Sequence, residues 1–254
     1  MLDGYEKESF EAQLTDGGGP ARRLARHDVY LKGEGPIVVL IQELPGIGPE
    51  TLRLADLFFA EGFSVALPHL FGPLGRVSMA GNTARVFCMR REFHLFAKNA
   101  SSPIAGWLKA LCAHLKAERG APGVAVIGMC LTGNFALSLV ADASVLAGVA
   151  SQPAMPILSQ SALHMSAAEI AASRDRLDQI GPMLALRFDK DPLCTAAKFA
   201  AIDKAFNGDA ERVRTRVLPG KGHSVLTLDF VDEAGHPTRE AFDEVVAYFR
   251  AALT

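Results

Sequence analysis

A cysteine, an aspartate and a histidine each follow closely on an apolar segment that is predicted to be a β-strand. They are Cys130 in Gly128-Met-Cys130-Leu, Asp191 in Phe188-Asp-Lys-Asp191, and His223 in Pro219-Gly-Lys-Gly-His223. A thiolate can attack a carbonyl carbon. An imidazole can accept the thiol proton and later protonate the leaving group, and a carboxylate can fix the imidazole tautomer. These residue types together predict nucleophilic catalysis at a carbonyl centre.

Cys130 lies where a predicted strand meets a predicted helix. The β-branched run that begins at Gly123 ends at Gly128, and a helical pattern then continues to about Asp142. Such a turn projects the side chain at its apex over the carboxyl end of the sheet, and it needs small neighbours. The N-terminus of the helix favours the thiolate form of the cysteine. The alternative is a buried packing cysteine, which is how we interpret Cys112.

The composition is typical of a globular protein with a sizeable core, at 254 residues with 49% hydrophobic and 21% charged residues. This length allows one large α/β domain or two small ones. The net charge of −2 argues against a nucleic-acid or anionic-membrane partner. No apolar stretch approaches membrane-spanning length, and the first residues lack a signal-peptide core. We therefore expect a soluble cytoplasmic protein, either a monomer or a weak homo-oligomer.

The four cysteines are widely scattered and show no C-x-x-C spacing, which predicts free thiols rather than a zinc site or a redox pair. We expect neither a metal nor an organic cofactor. The partner that we expect is a small-molecule ester or lactone substrate.

Strand patterns alternate with helix patterns along the chain, without a repeat or a linker. The predicted strands are 27–32, 36–41, 63–67, 124–127, 145–150, 182–188 and 212–218, and the predicted helices are 50–61, 101–119, 130–142, 165–179 and 236–253. Residues 1–26 are interpreted as a polar N-terminal segment, and residues 72–100 as a cap or active-site loop region. The alternation predicts one α/β domain over residues 1–254, with a doubly wound, mostly parallel sheet. Ligands of such sheets bind beyond the carboxyl ends of the strands.

The chain order nucleophile, acid, base is that of α/β-hydrolases. Glu43 ends the first buried strand and should also point toward the site, where it could meet the sulfur or position water. The backbone N–H groups of Leu44 and Leu131 are predicted to form an oxyanion hole, with one donor from each loop.

Several motifs in order resemble the dienelactone hydrolase family of α/β-hydrolases, from about Ile37 to the C-terminus. They are Gln42-Glu43-x-x-Gly46, Glu61-Gly62-Phe63 leading to Pro68-x-Leu70-Phe71, Gly128-x-Cys130-Leu-x-Gly133, Asp191-x-x-Cys194 and Pro219-Gly-x-Gly-His223-Ser224. The resemblance implies helices on both faces of the sheet and a Cys130–His223–Asp191 triad. It also implies that Glu43 pairs with the thiol in the resting enzyme, and that substrate binding frees a thiolate. That thiolate would open a lactone or ester through an acyl-thioester, as a carboxymethylenebutenolidase does.

Some positions depart from the family pattern. Thr132 replaces a glycine of the nucleophile turn, and Ser224-Val-Leu-Thr-Leu228 contains no arginine where the family's dienelactone enzymes hold the substrate carboxylate. His69 stands where aspartate is common after the strand-end proline, and Thr195 stands where proline is common. These departures leave the substrate open.

Alternatives remain for several residues. Asp189 competes with Asp191 as the acid, because Asp-x-Asp-Pro is also a turn-like string, and Glu43 could instead cap the helix that starts near Pro49. The candidates for substrate contact are Arg91, His69, Phe71, Thr132, Ser151 and Gln152. The alternatives to a hydrolase are a non-catalytic protein that binds a small carboxylate or a protein partner, and an acyltransferase that uses the same residues.

Overall fold

An eight-stranded sheet forms the centre of the molecule. The computed structural model describes residues 2–14, 23–78, 81, 83–84, 93, 102–156 and 159–254. The strands are β1 (Glu6–Leu14), β2 (Arg23–Lys32), β3 (Ile37–Ile41), β4 (Ser64–His69), β5 (Val124–Met129), β6 (Val145–Ser151), β7 (Met183–Phe188) and β8 (Val213–Leu218). Their spatial order is β1-β2-β4-β3-β5-β6-β7-β8.

The helices lie on both faces of this sheet. They are α1 (Pro49–Ala60), α2 (Pro103–Glu118), α3 (Gly133–Leu139), α4 (Ala167–Ile180), α5 (Ala196–Phe206) and α6 (Pro237–Leu253). Helices α1 and α6 pack on one face, and α2 to α5 pack on the other. Strands β3 and β5 are buried along their whole length, as expected of apolar strands that are covered on both sides.

The six strands β4, β3, β5, β6, β7 and β8, given in their spatial order, run parallel to one another. Strand β1 pairs with β2, and β2 with β4, in antiparallel register. The prediction of a doubly wound, mostly parallel sheet is confirmed. Because parallel strands end at the same edge, the residues that follow β3, β5, β7 and β8 meet there.

Two elements were not predicted. The segment 1–26, for which only a polar character was predicted, contains β1, whose even-numbered residues from Glu8 to Leu14 are less exposed than the residues between them. The alternation Phe10-x-Ala12-x-Leu14 was the signal for a half-buried strand. Helix α5 was also overlooked, although Phe199, Ile202 and Phe206 have helical spacing and are buried.

Candidate active site

Cys130 occupies a strained turn between β5 and α3. A single 3-10 turn, Cys130–Thr132, joins the two elements, and Cys130 has a φ of 53°. This left-handed backbone is unusual for a residue with a side chain, and it is typical of a nucleophile elbow. A Cβ on Gly128 would lie 2.2 Å from the Thr132 carbonyl oxygen, and one on Gly133 would lie 2.7 Å from Pro153 Cα. The glycines are therefore required by the close approach of the chain.

Thr132 braces this turn. Its Oγ1 accepts a hydrogen bond from the Met129 N–H at 3.0 Å and lies 3.2 Å from the Gln42 carbonyl oxygen, to which it can donate. The side chain is fully buried. The hydroxyl of Thr132 is used by the backbone of the elbow and of the end of β3, and its contact with substrate stays a prediction.

The loop after β6 also forms hydrogen bonds with the elbow and with the start of α3. The Ala154 N–H donates to the Cys130 carbonyl at 2.9 Å. Asn134 Nδ2 donates to the Met155 carbonyl at 2.7 Å, and the fully buried Lys198 donates to the same carbonyl. Burial lowers the pKa of Lys198 to about 8. Sequence reasoning missed Asn134 and Lys198, because their partner is a distant loop carbonyl.

Asp191 and His223 form a direct pair. His223 Nδ1 lies 2.9 Å from Asp191 Oδ1 and 2.8 Å from Oδ2. The Asp191 carboxylate also accepts hydrogen bonds from the N–H groups of Leu193 at 2.8 Å and Cys194 at 2.9 Å. This carboxylate is thereby held in one orientation, and it places the proton of a neutral His223 on Nδ1.

The other ring nitrogen of His223 is available for proton transfer. Its Nε2 is buried and has no hydrogen-bond partner in the part of the chain that the structure describes. Burial acts against the imidazolium, but the hydrogen bond to Asp191 and the proximity of the Cys130 sulfur together outweigh this effect and raise the pKa of His223 to about 10. Cys130 keeps 9% exposure, whereas Cys112 and Cys194 have none. Of these three thiols, Cys130 alone is both reachable and close to an imidazole.

Two aspartates outside the pair shape the loop that carries His223. Asp229 Oδ2 accepts from the N–H groups of His223 at 2.8 Å and Ser224 at 2.9 Å. Asp189 is exposed and accepts from the Gly220 N–H at 2.8 Å. Asp189 therefore supports the loop and does not contact the imidazole. Asp229 was missed in the sequence, where a single aspartate six residues after a histidine carries no signal.

Glu43 lies beneath the loop of His223 and is 1% exposed. Ser224 Oγ donates to Glu43 Oε2 at 3.1 Å, and Thr227 Oγ1 donates to Oε1. Burial raises the pKa of Glu43, while the two hydroxyls and His223 act in the opposite direction. Among the described residues, Glu43 makes these hydrogen bonds and none with Cys130. The arrangement differs from the expected pair of Glu43 and the thiol.

The remaining predicted residues lie around the same edge of the sheet. Phe71 is buried, and its backbone is tied to the Gln42 side chain, with Gln42 Nε2 donating to the Phe71 carbonyl at 2.9 Å. His69 is half-buried and donates from Nε2 to the Gly72 carbonyl at 2.8 Å. Leu131 is buried in the elbow and Leu44 is half-buried after β3. Arg91 lies outside the described residues, as does most of the predicted cap region 72–100.

Ser151 and Gln152 end β6 and are fully buried. Ser151 Oγ donates to Gln152 Oε1, so this hydroxyl already has a partner. Gln152 has a φ of 38°, and its Nε2 has no partner among the described residues. Of the two, only Gln152 retains a free donor for a ligand.

Among the described residues, one group of side chains has the composition of a metal site. The ligand atoms of Glu8, His114 and Glu118 lie within 4.8 Å of one another between β1 and α2. His114 Nε2 is already 2.7 Å from Glu8 Oε1, and its ring stacks on Phe10. The ion pair and the stacking account for this arrangement without an ion.

The elbow, the pair of acid and base, and the sheet order define an α/β-hydrolase fold. A model of the dienelactone hydrolase family matches residues 25–253. The chain belongs to the dienelactone hydrolase family, as the sequence motifs predicted. This membership supports a hydrolase function. No curated protein matches the chain.

Several solved structures share the fold at low sequence identity. A dienelactone hydrolase-like promiscuous phosphotriesterase from metagenomic libraries is 16% identical with a TM-score of 0.65, over 98% of this chain and 99% of that chain. A dienelactone hydrolase from Anabaena variabilis is 14% identical with a TM-score of 0.60, over 98% and 99%. An esterase from Pyrococcus furiosus is 14% identical with a TM-score of 0.60, over 97% and 93%. At this identity, the likeness concerns the fold.

Among the described residues, no helix combines the length and the apolar character that a membrane span requires.

Proposed function

We propose that this protein hydrolyses small carboxylic esters or lactones through a Cys130–His223–Asp191 triad. The observation that carries the proposal is the state of the His223 ring. Its Nδ1 is held by Asp191, while its Nε2 is buried without a hydrogen-bond partner in the described chain and near Cys130. This is the arrangement in which an imidazole can take a proton from a nucleophile and keep its orientation while charged.

In the resting site the proton shared by Cys130 and His223 lies on His223 Nε2, as the raised pKa of His223 favours, and the sulfur attacks the substrate carbonyl carbon. The N–H groups of Leu44 and Leu131 hold the oxyanion of the tetrahedral intermediate. His223 then returns its proton to the leaving alkoxide, and an acyl-thioester remains on Cys130. In a lactone the leaving alkoxide stays joined to the acyl group, so ring opening and acylation are one event.

Water completes the cycle. His223 removes a proton from water, the resulting hydroxide attacks the thioester carbonyl, and the tetrahedral intermediate expels the Cys130 thiolate with release of the carboxylic acid. The hydrogen bond from His223 to Asp191, one of the causes of the raised pKa of His223, stabilises the imidazolium in each half-reaction. We assign substrate contacts to His69, Phe71, Gln152 and Arg91. The chemistry uses the groups of this chain and calls for no metal or organic cofactor.

The test is the turnover of p-nitrophenyl acetate and of a dienelactone by Cys130→Ala, with Cys112→Ala as the matched control. Cys112 is fully buried in α2, and its pKa is raised by burial, so it should not take part in the reaction. We expect Cys130→Ala to lose turnover of both substrates and Cys112→Ala to retain it. Undiminished turnover in Cys130→Ala would remove the mechanism.

A further inference from the structure

Both carboxylate oxygens of Glu43 are already engaged by hydroxyl groups. Thr227 donates to one oxygen and Ser224 to the other, at 3.1 Å. All three residues are buried, so water does not offer an easy replacement for either hydroxyl. Hydrogen bonds to a carboxylate are strong, whereas a thiol is a weak donor. A move of Glu43 toward Cys130 would therefore exchange two good donors for one poor donor.

The two hydroxyls are themselves fixed in place. The Thr227 carbonyl accepts a hydrogen bond from Arg53 Nη2 at 2.6 Å, which ties it to α1. The Ser224 N–H donates to Asp229 at 2.9 Å, on the same carboxylate oxygen that binds the His223 N–H at 2.8 Å. One loop thus carries the base and also the two groups that hold Glu43. The position of Glu43 is coupled to the position of His223.

We propose that Ser224 and Thr227 are positioning residues that keep Glu43 away from Cys130, so that the thiol can exchange its proton with His223 before any substrate binds. The proposal rests on the proposed triad, since it concerns the resting state of the same nucleophile. The resting enzyme then needs no anionic group of a substrate to displace Glu43. Neutral esters and lactones are accordingly the substrate class that this site accepts.

The charged and titratable groups around these atoms are consistent with the proposal. Burial, the largest effect, and Asp229 raise the pKa of Glu43, whereas Thr227, Ser224 and His223 lower it and so favour the carboxylate. Cys130 raises the pKa of His223 and that of Cys194. The side chains that raise the pKa of His223 most strongly are Asp191 and Cys130, and Glu43 is not among them.

The experiment is alkylation of Cys130 by iodoacetamide without substrate, between pH 5 and 9, with Cys130 followed by peptide mass. The proteins are the wild type, the double variant Ser224→Ala with Thr227→Val, and the same double variant with Glu43→Gln added. Loss of both hydroxyls should release Glu43 toward the sulfur. We expect alkylation of Cys130 near neutral pH to slow by about tenfold, which corresponds to a shift of about one pH unit in the rate profile.

Addition of Glu43→Gln to the double variant should restore the alkylation rate, because the amide carries no charge to oppose the thiolate. Thr227→Ser, which keeps a hydroxyl, should behave as the wild type. Wild-type alkylation in the double variant would overturn the proposal. So would slow alkylation that Glu43→Gln does not reverse, since that is the result of general damage to the loop. Failure of the triad itself is seen separately, as hydrolysis that survives Cys130→Ala.

Discussion

His223 Nδ1 lies between the two carboxylate oxygens of Asp191, at 2.8 and 2.9 Å. The same carboxylate accepts two backbone N–H groups of the loop that follows β7. The acid is therefore fixed before it orients the base, and the base presents Nε2 to the nucleophile. Of the two aspartates in the Asp-x-Asp-Pro string, Asp191 should therefore affect catalysis and Asp189 should not.

Asp191→Asn should reduce kcat roughly 10³- to 10⁴-fold, because an amide can stabilise the wrong imidazole tautomer and cannot stabilise the imidazolium. The matched control is Asp189→Asn, since Asp189 is exposed and its carboxylate accepts from the Gly220 N–H, away from the imidazole. We expect this control to retain most of its activity. Steady-state kinetics with p-nitrophenyl acetate measure both variants, and equal losses in the two would contradict the assignment of the acid.

The raised pKa of His223 predicts a pH-dependent contribution to stability. A group whose pKa is raised by folding stabilises the native state fully below its unfolded pKa, here about 6.5, and this contribution is lost as the pH rises through about 10. The difference in unfolding free energy between the wild type and His223→Gln should therefore shrink from pH 6.5 to pH 10.5. Titrating groups that do not interact with His223 are common to both proteins and cancel.

Urea unfolding at the two pH values measures this difference. In a Cys130→Ala background the change with pH should become smaller, because Cys130 is one of the causes of the raised pKa. A difference that stays constant with pH in both backgrounds would show that His223 does not hold its proton in the folded protein.

Thr132→Val should destabilise the protein by about 1–3 kcal/mol, because it leaves the buried Met129 N–H without its acceptor. Thr132→Ser keeps the hydroxyl, so its free energy of unfolding should fall much less. Denaturant midpoints compare the two variants. If valine is tolerated as well as serine, the hydroxyl of Thr132 does not brace the elbow.

Gly128→Ala should destabilise the protein by more than about 4 kcal/mol or prevent folding, because its Cβ would lie 2.2 Å from the Thr132 carbonyl oxygen. Gly208 offers the matched control, since a Cβ there meets nothing within 4 Å. Gly208→Ala should change stability by no more than about 0.5 kcal/mol. Thermal unfolding of the two variants tests the elbow geometry, and a stable Gly128→Ala protein would refute it.

The architecture was largely predictable, because each strand and most helices are signalled by the pattern of apolar residues within a short stretch of the sequence. Each buried parallel strand is a short apolar run, and residues after such runs meet at one sheet edge. That reasoning correctly brought Asp191 and His223 together. Strand β1 was missed because its alternation is diluted by six charged or polar residues from Glu6 to Gln13.

The partners of the buried polar groups could not be predicted in the same way. Glu43 and Thr227 are 184 positions apart, and their hydrogen bond depends on the path of a loop that Arg53 and Asp229 fix. Lys198 binds carbonyls 36 and 43 positions away. Such contacts follow from the tertiary fold, and no spacing in the sequence signals them.

In the proposed mechanism the Cys130 sulfur forms a covalent bond to the acyl group. Intact-protein mass after rapid acid quench of a reaction with p-nitrophenyl acetate detects this bond, and peptide mapping locates the adduct. We predict a single acetyl group, found on Cys130 and absent from Cys130→Ala. An acetyl group on another residue of the active wild-type protein would rule out Cys130 as the nucleophile. So would a burst in Cys130→Ala that equals the wild-type burst.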